Sequence, residues 1–252
     1  MKDALKRLET MDPSDDMGMF LENVERIISG IEEAPGSDEA EVGLSLIRKK
    51  EKASRDYFMR PLDSDDVYNR LIRIHLGRGE ENIANDYRRC LDLKQARKWT
   101  ILGDSYALMG LNKKASEYLK RALYFGPAED LVDEVRRTFE KAQKRVDKAE
   151  DSVSATVSKA QGDPGNLKNM VKAVSYLLDL DRLDEALELA ERGIERHGDE
   201  FDLLYRKGVA FFGKGDLDAA LEVFKRSHEM RPNSTNAKRA VNLSVEMKSG
   251  GL

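Results

Sequence analysis

Trp99, Leu102, Gly103 and Tyr106 fall at i, i+3, i+4 and i+7, which places all four on one face of a helix. Gly103 removes a side chain where a second helix must approach closely. Gly110-Leu111-Asn112-Lys113 reads as a short turn. The second helix then presents Ala115, Leu119 and Ala122, and its alanines let facing ridges and grooves meet at short range. Pro127 stops that helix, because proline has no N–H to continue it. A helix pair of this kind cannot bury its apolar face alone, so it must stack on neighbours.

The pattern recurs. Ala186 and Ala220 take the place of Ala115 in two later copies and lie 34 residues apart. These copies span 167–200 and 201–234. The last supplies Leu204, Gly208, Phe211, Gly215, Phe224 and Pro232. The middle copy has Met170, Val174 and Leu177 on its first helix, with Gly198 where the others carry proline. A degenerate copy precedes Trp99, with Tyr68, Leu71, Ile72 and His75, then Gly79, Ala84 and Leu91. In spacing and residue type the set resembles the tetratricopeptide repeat, a helix–turn–helix unit of about 34 residues. The resemblance covers about two-thirds of the chain. It implies an all-α fold: a right-handed helical-repeat solenoid with an N-terminal helical cap and a long helix between two repeat blocks. Such a stack leaves an open groove rather than a closed catalytic pocket.

Four regions follow. Residues 1–62 read as the helical cap. Asp12 is the expected N-cap, with Pro13 at the first helical position and Phe20, Val24, Ile27 and Ile31 along one face. Ser37 caps the next helix, whose apolar side carries Leu44, Ile47 and Tyr57 before a turn at Arg60-Pro61-Leu62-Asp63. Residues 63–129 hold repeats. In 130–166, Val132, Val135, Phe139, Ala142, Val146, Ala149 and Val153 form a heptad seam. One long helix and a divergent repeat both fit, and the lack of any breaker near Lys144 favours the helix. Residues 167–252 hold two repeats and a closing helix from Thr235 to Lys248, followed by a frayed tail at Ser249-Gly250-Gly251-Leu252.

Charge and composition exclude several functions. The net charge is −4, which argues against a nucleic-acid surface. No apolar run approaches a membrane span, and the first residues lack the stretch of a secretion signal. The single Cys90 excludes an internal disulfide, so a cytoplasmic setting is expected. No phosphate loop, paired-cysteine motif or nucleophile elbow occurs, so neither cofactor nor metal is expected, and no enzyme. His75, His197 and His228 lie far apart, and His75 falls on an inward face. Arg48-Lys49-Lys50-Glu51-Lys52 is a short basic run, read as solvated surface with a secondary option of touching an acidic partner.

In proteins the chain resembles, the first helix of each pair lines the concave groove where peptides bind. Carried onto this sequence, that geometry selects Arg97, Thr100 and Asp104, then Lys168, Val171 and Ser175, then Asp202, Tyr205, Val209 and Phe212, with Arg239 on the closing helix. Some relatives hold a C-terminal carboxylate in a clamp of Lys, Asn and Arg. Here the matching places hold Val171, Ser175, Asp202 and Arg206, with no paired Asn, so the clamp is not reproduced. Val171, Tyr205, Val209 and Phe212 suggest an apolar stripe for a helix or extended peptide instead. The resemblance thus implies a non-catalytic scaffold or adaptor with a protein or peptide partner. The competing readings are a homo-oligomer built on the 132–153 seam, and an enzyme on a helical-repeat frame.

Overall fold

The computed structural model describes residues 1–12, 16–58 and 64–249, with side chains described throughout except at 55–58. Pro13, the turn at Arg60–Asp63, the side chain of Tyr57 and the tail from Gly250 lie outside the described residues. Twelve helices and no strand occur among the described residues. The chain divides into two compact units, Met1–Gln95 and Ala96–Leu252.

The first unit comprises α1 (Lys2–Thr10), α2 (Met17–Glu33), α3 (Asp38–Phe58), α4 (Asp65–Gly77) and the opening turns of α5 (Glu81–Met109). Phe20, Val24, Ile27 and Ile31 of α2 are fully buried, as their spacing requires, against Leu8, Ile47, Tyr68 and Leu71. Asp12 is not the cap of α2. The helix begins four residues later, and Asp16 accepts the Met19 N–H at 2.9 Å. A capping carboxylate must sit three residues before a free helical N–H, which Asp16 does. Ser37 caps α3 as expected, accepting from Ala40 at 3.2 Å. His75 is buried in the core, its Nδ1 2.6 Å from Glu80 Oε2.

The second unit holds the rest of α5 and α6 (Asn112–Phe125), α7 (Glu129–Gly162), α8 (Leu167–Asp179), α9 (Leu183–His197), α10 (Phe201–Lys214), α11 (Leu217–Met230) and α12 (Thr235–Lys248). From α6 onward each helix packs on the next, and α8 also packs on α10. The turns share one device. Gly79, Gly110, Asp181 and Gly215 all have positive φ and stand one to each helix–turn–helix. Such backbone is cheap for glycine and tolerated by aspartate. Neither α5 nor α7 contains a positive-φ residue, and each runs unbroken, for 29 and 34 residues. The degenerate copy and the Trp99 copy are therefore joined by continuous helix, a merger that the sequence reading did not anticipate.

α7 is one helix. Val135 lies with Leu119 and Ala122 of α6, while Ala142, Ala149, Val153 and Ala160 share a core with Met170, Ala173 and Val174 of α8. Val135, Ala142, Val146, Ala149 and Val153 of the heptad seam are thus buried inside the chain, while Val132 and Phe139 are half-buried. Because α6 and α8 both run antiparallel to α7, the start of α6 meets the end of α8 opposite the middle of α7. Asn112 Nδ2 donates to Asp179 Oδ1 at 2.5 Å there, and Arg145 Nε stands 3.8 Å from Asp179 Oδ2. Lys114 bonds the Gly213 carbonyl and lies 3.6 Å from Asp181, which ties this junction to the end of α10.

Close approach is set by glycine. A Cβ at Gly103 would sit 2.5 Å from Leu119 Cγ and 3.2 Å from the Leu119 amide nitrogen, and one at Gly208 would sit 2.6 Å from the Phe224 ring. Gly103→Ala should therefore lower stability by about 1 kcal/mol or more, despite the better helix propensity of alanine. In a Leu119→Ala background the same change should become neutral or stabilising. Thermal melts of the four proteins check this, and an equal loss in both backgrounds overturns it. Burial pushes the Asp179 carboxyl above its ordinary range, against the opposing pull of Asn112, Arg145 and Arg206. The folded chain then holds that proton more tightly than the unfolded chain, so stability is lost as pH rises through the group's titration. The stability of Asp179→Asn relative to wild type should increase from pH 4 to pH 7; a gap independent of pH refutes the assignment.

Candidate functional site

Within the second unit, six helices surround a cavity of about 640 Å³, α6 contributing Asn112. One wall is α5, through Asp104, Ala107 and Leu108. A second is α7, through Glu134, Thr138, Lys141 and Arg145. The floor is Ser175 and Asp179 of α8 with Tyr205, Arg206 and Val209 of α10, and Asn236 of α12 stands at the edge. The α7 residues fall at i, i+4, i+7 and i+11, a single face beside the buried seam. Eleven residues at 1.5 Å each carry that wall from acidic to basic over about 16 Å.

The polar floor is only partly satisfied. Arg206 Nε donates to Ser175 Oγ at 2.6 Å, and Nη1 donates to the Asp202 carbonyl at 2.8 Å and to Asp202 Oδ1 at 3.2 Å. Its Nη2 has no bond among the described residues. Asp179 is 2% exposed, and its Oδ2 has no hydrogen-bond partner among the described residues. Burial, aided by Glu134, raises the Asp104 carboxyl. Burial likewise raises the Tyr205 hydroxyl, whose ring lies 6.1 Å from Phe201 and 5.7 Å from Phe224.

Of the residues expected to line the groove, the structure brings together Asp104, Ser175, Tyr205 and Val209. Arg239 lies in a neighbouring depression with Ser105, Leu108 and Glu246. Arg97 and Lys168 are exposed and line neither cavity, and the Thr100 hydroxyl turns back to the Ala96 carbonyl at 2.9 Å. Asp202 serves Arg206 and stands 3.8 Å from Arg231.

The apolar stripe is a correction. Phe212 is buried edge-on against Tyr106 at 5.8 Å, Val209 is fully buried, and Val171 packs against the same core. Contact of α10 with α8 and with the end of α5 consumes these side chains, so no free stripe remains.

The reading from sequence missed Asn112, Asp179 and the charged α7 wall. Asn112 and Asp179 are 67 positions apart with no local pattern linking them. Arg206 carried the one available signal, its place beside Ser175 in the degenerate clamp. Among the described residues no group of three His, Cys, Asp or Glu could hold a metal ion, and no helix is long and apolar enough to cross a membrane.

The tetratricopeptide repeat is matched twice in this chain, at residues 96–128 and at residues 171–235. The chain is also similar to solved structures. One is YrrB, described as a TPR protein with an unusual peptide-binding site, at 15% identity and a TM-score of 0.36, over 86% of this chain and 98% of that one. Another is the TPR2AB-domain:pHSP90 complex of yeast Sti1, at 15% identity and a TM-score of 0.30, over 92% of this chain and 96% of that one. The first match spans the end of α5 and α6, and the second runs from α8 through α11. The chain thus carries tetratricopeptide repeats in its second unit, at residues 96–128 and 171–235.

Proposed function

We propose that the protein is a non-catalytic interaction scaffold whose second unit takes a peptide or partner helix in the cavity between α5, α7, α8 and α10. One observation carries the reading. An open cavity of about 640 Å³ is lined by polar groups whose bonding is incomplete: Arg206 Nη2, Asp179 Oδ2 and Lys141. Asp179 Oδ2 is buried, Arg206 is half-buried and Lys141 is exposed at the rim, and polar groups left in that state favour a ligand that completes them. The α7 wall supports a charged peptide over an apolar one. Its acidic and basic ends lie about 16 Å apart, close to five residues of extended chain.

Leu108 and Lys141 are the variants of choice, because both are exposed at the rim and neither supports the core. A display library of extended peptides, screened against the full chain, should return ligands with opposite charges about five residues apart. Leu108→Arg and Lys141→Glu should each weaken them tenfold or more by fluorescence anisotropy, with unchanged thermal melts. Ligands that bind both variants as they bind wild type would remove the groove from the account.

A further inference from the structure

The basic run of α3 is not a uniform solvated face. The structure takes it apart residue by residue. Lys50 turns away and donates Nζ to the Met11 carbonyl at 2.5 Å. Glu51, the only carboxylate of the run, turns inward; it is fully buried and accepts the Tyr68 hydroxyl at 2.8 Å. The counter-charge expected from the sequence is thereby withdrawn from the surface. What remains outside is Arg48, Lys49 and Lys52, with Ser45, at i, i+3, i+4 and i+7. All four share one face of α3.

That face is one side of a shallow depression of about 360 Å³ in the first unit, closed opposite by His75, Arg78, Glu80 and Ile83. Its acids are already engaged. Glu41 pairs with Arg78, and Glu80 is held by Arg78 at 3.3 Å and by His75 at 2.6 Å. Arg48 makes only a loose, exposed pair with Asp86 at 3.7 Å. Lys49 and Lys52 have no ion-pair partner among the described residues. Four cations, Arg48, Lys49, Lys52 and Arg78, line the depression against two carboxylates, Glu41 and Glu80, a local excess of positive charge on a chain whose net charge is −4. Leu44 and Ile83 add apolar surface within the depression.

We propose that this face of the first unit docks an acidic peptide segment of a partner protein. Arg48 and Lys52 stand one helical turn apart, about 6 Å, and alternate carboxylates on an extended chain repeat at about 7 Å. Leu44 and Ile83 suit the methylenes of glutamate. A single-stranded nucleic acid fits less well, because the His75 ring that lines the depression is buried and stacked on Tyr87, which leaves it no open face for a base. This site is separate from the groove of the second unit and does not depend on it.

The test uses the full chain and a fluorescein-labelled hexaglutamate peptide in low-salt buffer. Wild type should bind it, with affinity falling as salt is raised. Lys49→Glu/Lys52→Glu should weaken binding at least tenfold without moving the thermal melt, since both side chains are exposed. Lys49→Gln/Lys52→Gln should fall between, and Leu108→Arg should bind as wild type does. Hexaglutamate that fails to bind wild type at low salt, or binds the double variant equally, overturns the proposal. So does oligouridylate that binds and is lost in the double variant while hexaglutamate is not bound.

Discussion

A helix with one apolar stripe has nowhere to hide it except on another helix, and in the second unit the hiding place is the next helix in the chain. Everything else follows from how near two such helices can come. Gly103 lies against Leu119 and Gly208 against the Phe224 ring, with no room for a methyl group. Most of the contacts join helices adjacent in the chain. The contact of α8 with α10, the Asn112–Asp179 and Lys114–Gly213 bonds and the Tyr106–Phe212 ring pair bind the stack across repeats.

The breaks matter as much as the contacts. A residue with positive φ turns the chain after the first helix of each pair, and glycine supplies it at three of four places. Asp181 does so at the fourth, where its carboxylate also faces Lys114. No such residue stands within α5 or α7, and each runs on as one helix. In α7 fusion has a structural consequence. A helix twice the usual repeat length must be covered by two helices laid along it in tandem, and their facing ends bring Asn112, Arg145 and Asp179 together. The candidate cavity opens at that junction, so the departure from strict repetition is what shapes the site.

Charge is distributed by the same packing. Glu51 is drawn into the first unit's core by Tyr68, and Asp179 is enclosed between two helix ends. Glu51 thereby leaves Lys49 and Lys52 without the carboxylate of their own run, while Asp179 keeps Arg145 at 3.8 Å. In α3 that strips a mixed run down to its basic members. In α7 it sets Lys141 and Arg145 on the wall of a cavity rather than on a neutral outer face.

The helix pairs, their turns and their inward residues were legible from the sequence, because each rests on contacts between residues three to about twenty apart. Trp99 to Pro127 needed only helical spacing, a glycine at the near approach and a proline at the end. The heptad seam of α7 was legible for the same reason, and the absence of a breaker pointed to one helix. The side chains left free to meet a ligand were not legible. Val209 and Phe212 share their spacing with groove residues, yet they are buried because α10 meets α8 and α5, a fact of tertiary packing. Asp104, Ser175 and Tyr205 reach one cavity through the same packing, joined there by Asn112 and Asp179 from distant helix ends. Local periodicity determines which face of a helix turns inward; only the assembled helices decide which of the remaining faces are still open.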